Sequence, residues 1–140
     1  MAKAALSPAW KKEPDQHDYP AAANYLGLIA DADVVADIVA QLKKAPITTH
    51  QAKDLLRAAR LELLPSSDAH VKADLAKMIQ GVKLSPVLLV RGGIELGIPL
   101  TIADGYHRVC ASYYTADDAD IPARIIDLPV GFSPAGATKK

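Results

Sequence analysis

"SPVLLVRGGIELGIPLTIADGYHRVCASYY", residues 85–114, decides how the fold is read. Val87–Val90 is an unbroken apolar run between a Ser-Pro pair and two glycines, the pattern of a strand buried on both faces. "IPLTIADG" (98–105) returns as its hairpin partner. At Asp104-Gly105 the strand-like pattern stops, and the spacing predicts a helix from about Tyr106 to Thr115. A strand that passes through one glycine into a helix puts Tyr106, His107 and Arg108 on the first helical turn.

Working outward, "SSDAHVKADLAKMIQG" (66–81) reads as a capped helix with Val71, Leu75, Met78 and Ile79 on one face and Gly81 just past its end. "LELLP" (61–65) reads as a short strand stopped by Pro65, and "DIPARIIDL" (120–128) as a last strand. The order strand, helix, strand, strand, helix, strand predicts an α+β domain over 61–128, one small mixed sheet with helices. Residues 20–60 read as a helical N-terminal extension. A short helix near Ala21–Leu28 comes first, then one carrying Val34, Val35, Ile38, Val39 and Leu42 that Pro46 ends. Thr48 or Thr49 then caps a third helix with Ala52, Leu55, Leu56 and Ala59. Residues 1–19 read as a flexible arm whose Trp10 packs onto the domain, and 129–140 as a disordered tail.

Composition narrows the classes of function. The chain has 140 residues, 50% apolar, with 16 Lys plus Arg against 16 Asp plus Glu. Zero net charge argues against sequence-specific DNA binding by this chain, and the third helix offers only Lys53, Arg57 and Arg60 beside Asp54. One cysteine, Cys110, excludes a disulfide framework and any multi-cysteine metal site. His17 and His50 show no companions at metal-ligand spacing, so no metal site is expected. No apolar run approaches the ~18 residues of a membrane span, and no signal-peptide pattern opens the chain, so no membrane partner and a cytoplasmic location are expected.

The junction at 104–108 carries the chemistry. A helix N-terminus presents unpaired N–H groups and the positive end of the helix dipole. Gly105 lets a ligand approach the backbone, and His107 and Arg108 add donors beside those amides, so the turn reads as a phosphate cradle. Ser112, four residues after Arg108, shares its helix face and touches either a phosphate or solvent. The competing reading has Asp104 as a helix cap and Arg108 paired with a nearby carboxylate.

The wider stretch "LSPVLLVRGG…IPLTIADGYHRVCASYY…ADIPARIID" resembles the ParB/sulfiredoxin-like superfamily over roughly residues 61–127. The resemblance is strongest at Asp104-Gly105-Tyr106-His107-Arg108. ParB proteins typically carry G-E-R-R at this turn, sulfiredoxins G-G-C-H-R, and free-serine kinases D-G-H-H-R. The resemblance implies that Gly105, Tyr106, His107 and Arg108 bind the phosphates of a nucleotide (ATP, ADP or CTP) with Mg²⁺, and that His70 belongs to a second phosphate-contacting box. Tyr106 stands where ParB proteins have an acid and sulfiredoxins their reactive cysteine, which argues against a partition component or a reductase. Cys110, one turn later on the apolar face, reads as a buried, inert thiol.

Two functions stay open. One is a nucleotide-binding or sensor module, to which a protein partner can be added. The other is a small-molecule phosphotransferase, with Asp104 and an upstream acid as catalytic residues, Glu62 on "LELLP" being the candidate acid.

Overall fold

The computed structural model describes residues 7–129. Five helices and a four-stranded mixed sheet form an α+β fold. In chain order they are α1 (Asp18–Leu26), α2 (Ala32–Lys44), β1 (Ile47–Gln51), α3 (Ala52–Ala59), α4 (Ala69–Gln80), β2 (Val87–Arg91), β3 (Thr101–Asp104), α5 (Tyr106–Thr115) and β4 (Asp120–Asp127), with a 3-10 turn at Ile94–Leu96. The sheet order is β1-β4-β2-β3. β1 and β4 run antiparallel, as do β2 and β3, while β2 and β4 are parallel. The parallel pair needs a crossover, which β3 and α5 supply.

Val87–Val90 forms the centre of the sheet and is buried on both faces. Alternation sorts its side chains. Val87 and Leu89 join Ile102, Ile121 and Ala123 under α3, α4 and α5, where Leu55, Leu56, Val71, Met78, Val109 and Cys110 complete one core. Leu88 and Val90 join Ala103 and Ile126 on the other face, covered by Tyr19, Ala22 and Leu26 of α1 and Val35, Ile38 and Leu42 of α2. The hairpin from β2 to β3 closes through Gly92, where a Cβ would meet the Ile98 carbonyl oxygen at 2.1 Å.

Several expectations change. Residues 20–60 are not a helical extension: β1 lies within them, and α1 and α2 form one of the two layers on the sheet. Thr48 and Thr49 are strand residues, and Gln51 precedes α3 instead. β-branched residues after Pro46 suit a strand, and pairing with β4 decides the outcome. The free amides at the start of α3 are taken up by the α5–β4 loop, Ala52 and Lys53 donating to the Ala119 and Asp117 carbonyls. Arg124 of β4 donates to the Leu42 and Lys43 carbonyls at the end of α2.

"LELLP" forms no strand. It is an irregular segment held against α5 by Tyr106 Oη donating to the Glu62 carbonyl at 2.6 Å and Tyr114 Oη to the Leu64 carbonyl at 2.7 Å. In α4, Val71 and Met78 are buried and Leu75 half-buried, but Ile79 is 73% exposed. One residue past Met78 it has rotated about 100° out of the buried stripe. The N-terminal arm, expected to be flexible, is tied to the domain at residues 9–11: Lys11 N donates to the Leu84 carbonyl, Leu84 N to the Ala9 carbonyl, and Trp10 packs on the core as expected. The first six residues and 130–140 of the expected tail lie outside the described residues.

If the two tyrosine hydroxyls hold 61–65, the double variant Tyr106→Phe/Tyr114→Phe loses about 1–3 kcal/mol in total, two bonds at roughly 0.5–1.5 kcal/mol each. Urea denaturation reads the loss, and unchanged stability would mean that both carbonyls are equally well served by water.

Candidate functional site

Asp104 ends β3, and Gly105 turns the chain into α5 with φ 114° and ψ 15°. That φ suits glycine, and packing excludes a side chain as well: a Cβ would stand 2.4 Å from Val87 Cγ1. The glycine is therefore required by the floor beneath it as much as by any approaching ligand. No side chain caps α5. The contrast with α4 is direct, since Asp68 there accepts from His70 N at 2.9 Å and Val71 N at 3.0 Å.

Asp104 is not the cap because it is committed to Arg108, whose Nη2 donates to Asp104 Oδ2 at 2.7 Å. Arg108 Nη1 donates to Ser85 Oγ and lies 3.7 Å from Asp18 Oδ2. Ser85 Oγ in turn donates to Asp18 Oδ2 at 2.6 Å, and Asp15 N donates to the same oxygen at 3.1 Å. Asp18 is only 3% exposed. The network joins the start of α1, the approach to β2, the end of β3 and α5. Burial pushes the Asp104 carboxyl up from the ordinary range, against the pull of Arg108. Arg108 is thus an internal counter-ion, as in the competing reading of the sequence, and its charge is spent before any ligand arrives.

In front of this turn lies a cleft of about 480 Å³. His107 and Arg108 line it from α5, and His70, Asp74 and Lys77 from α4. Lys83 and the segment Lys11, Asp15 and His17 complete the rim. The His70 and His107 rings stand 4.7 Å apart, so the amino ends of α4 and α5 converge here. Burial pushes the Asp74 carboxyl up, with Lys77 Nζ at 4.0 Å the first group opposing it. Lys11 is occupied by Asp15 at 2.7 Å, whereas Lys83 has no ion pair among the described residues.

The structure brings together Asp104, Gly105, His107, Arg108 and His70 from the sequence-based set. It separates three others. Glu62 contributes only its carbonyl, to Tyr106, and neither residue lines the cleft. Ser112 is fully buried and donates to the Arg108 carbonyl at 2.8 Å, so it meets neither phosphate nor solvent. Cys110 is buried as expected, and burial pushes its thiol up.

Sequence reasoning missed Asp18 and Ser85, which are 67 residues apart and share no local signal. It also missed Asp74, although the i, i+4 spacing from His70 places both on one helix face. His17 does have companions: Asp15, His17 and Asp18 offer ligand atoms within 4.8 Å of one another. A Mg²⁺ beside the phosphates would find carboxylate oxygens there, of which Asp15 Oδ1 already serves Lys11 and Asp18 Oδ2 serves Ser85. A second and larger cleft, about 960 Å³, lies between α3, β1 and the 92–100 connection and contains none of the sequence-predicted residues.

Arg108→Ala leaves Asp18 and Asp104 uncompensated, and losing one partner of a buried pair costs about 3–5 kcal/mol. Chemical denaturation reads this; stability within error of wild type would make Arg108 a free ligand-binding side chain. Asp74 gives a pH signature. Its folded-state affinity for a proton is raised, so stability contributed by the protonated form is lost as pH rises through that window. Asp74→Asn lacks this loss and should melt higher than wild type at pH 7, the difference shrinking below the ordinary carboxylate range. A lower melting point at pH 7 would show that the ionised carboxylate is stabilised in place.

No helix among the described residues is long and apolar enough to cross a membrane. No protein-family model, no curated protein and no solved structure matches the chain.

Proposed function

We propose that the chain is a ParB/sulfiredoxin-like binding module that holds the phosphates of a nucleotide, or of another phosphate-bearing small molecule, in the cleft at the start of α5. The observation that carries this reading is the amino end of α5, uncapped by any side chain and opening on a cleft with Lys77, Lys83, His70 and His107. Free amides at a helix N-terminus are an anion site by themselves, and the flanking cations extend it. The likeness of Asp104–Arg108 to the phosphate-binding turn of that superfamily supports the same placement.

The roles differ from those the sequence suggests. The first-turn amides and His107 face the phosphate, Lys77 and Lys83 neutralise it, and Arg108 with Asp104 and Asp18 sets the turn's position. A second reading, phosphoryl transfer to a small hydroxyl acceptor, is favoured by Asp74. Its half-buried carboxyl faces the cleft and its raised proton affinity suits a general base. Asp74 replaces Glu62 as the candidate acid, because Glu62 lies away from the cleft.

Thermal shift of the full chain against nucleotides and inorganic phosphate, with and without Mg²⁺, finds the ligand, which at 100 times its Kd stabilises by about 2.7 kcal/mol. Calorimetric titration then shows Lys83→Ala weakening binding by roughly tenfold or more, the loss of one charge-assisted bond at about 1.5–3 kcal/mol. No stabilisation by any phosphate compound, or full affinity in a Lys77→Ala/Lys83→Ala double variant, would refute the reading. Turnover with a hydroxyl acceptor that Asp74→Asn abolishes, with binding retained, would establish the enzyme instead.

A further inference from the structure

β1 lies at one end of the sheet, and its outer edge pairs with no strand among the described residues. Which of its groups face outward follows from β4. Thr49 stands opposite Pro122, and proline has no N–H to exchange. Thr49 and Pro122 are therefore the non-bonded pair, and the ladder bonds join Thr48 with Ala123 and His50 with Ile121. Ile47 and Thr49 consequently turn their N–H and C=O groups away from β4, toward the open edge.

Edge strands are ordinarily protected by a charge, a proline or a bulge. β1 has none: its five residues are Ile47, Thr48, Thr49, His50 and Gln51, its pairing with β4 is regular, and Ile47–Thr49 are exposed. The strand is also self-complementary. Rotation by a two-fold axis through Thr49 sets Thr49 against Thr49 of a second copy, Ile47 against Gln51, and Thr48 against His50. No like charges meet, and the outward groups of Thr49 bond reciprocally. A heterologous acidic or basic strand would find no charge on β1 to answer its own.

We propose that β1 is the interface of a two-fold dimer of this chain, in which two copies pair antiparallel through Thr49 to make one eight-stranded sheet. The contact is isologous and closes on itself, so it stops at two copies. Thr49, His50 and Gln51 also rim the larger cleft, which places the partner strand along its open side.

Light scattering coupled to size exclusion, run on the full chain over a range of concentrations, tests the dimer. The expected mass is twice the 14.8 kDa of one chain, falling toward one on dilution. Thr49→Pro removes an outward donor and no ladder bond, so it should give a folded monomer by circular dichroism. If that variant does not fold, Ile47→Lys/Thr49→Lys, which sets lysines against each other across the two-fold axis, decides in its place. Hydrogen exchange adds a local readout, with the Thr49 amide slow in the concentrated dimer and fast in the monomer. A wild-type monomer at every concentration, a larger assembly, or a dimer that survives the edge variants would overturn the proposal. A monomer with a slow Thr49 amide would do the same and would assign the edge to another segment of the chain.

Discussion

Burial of Val87–Val90 on both faces is the constraint from which the rest of the structure follows. A strand with apolar side chains on both sides needs a cover on each, since each side chain contributes about 1.5–3 kcal/mol only when removed from water. α3, α4 and α5 cover Val87 and Leu89, while α1 and α2 cover Leu88 and Val90. The helices before residue 45 are therefore half of the fold's packing. β4 beside β2 completes the enclosure, and β1 closes over β4 at the cost of leaving an edge of its own.

The same strand fixes the candidate site. Val87 sits under Gly105 closely enough to exclude a side chain there, so the turn's conformation is set by the core as well as by the glycine's own freedom. The Asp18–Ser85–Arg108–Asp104 network then ties that turn to the start of α1. Buried ion pairs stabilise little relative to apolar packing, but a partner left alone is costly. The network thus acts mainly as a position lock, and it commits the charge of Arg108, at the cleft wall, to Asp104 and Asp18. On the proposed reading, attraction for an anion falls to the dipole of α5, the lysines at the rim and the two histidines, against the carboxylates that also line the cleft.

Position also explains why residues of one motif part company. Tyr106, His107 and Arg108 are consecutive, and a helix turns 100° per residue, so the three side chains leave in three directions. Tyr106 goes to the Glu62 carbonyl, His107 to the cleft beside His70, and Arg108 to the buried carboxylates. A five-residue motif therefore supplies one strut, one cleft wall and one internal counter-ion.

Local pattern was enough for α2, α4, α5, β2, β3 and β4, because each carries its own periodicity and its own start or stop signal. Pro46 ends α2, Asp68 and Gly81 bound α4, and Gly105 opens α5. The α+β class was legible on the same grounds, whereas the gathering of His70 with Gly105 and His107 was an expectation of the family resemblance and not of local pattern. Tertiary structure alone decided β1, where "ITTHQ" is a strand because β4 is beside it, and "LELLP", which is not a strand because two tyrosines hold it elsewhere. It alone decided Arg108 as well. An arginine at a helix start fits phosphate or carboxylate equally; Asp104 four residues before it takes the direct bond, and Asp18, which adds a second buried carboxylate, comes from 90 residues earlier in the chain. Sequence determines what depends on neighbours along the chain; pairing between distant segments is settled only when the chain has folded and one buried charge must find another.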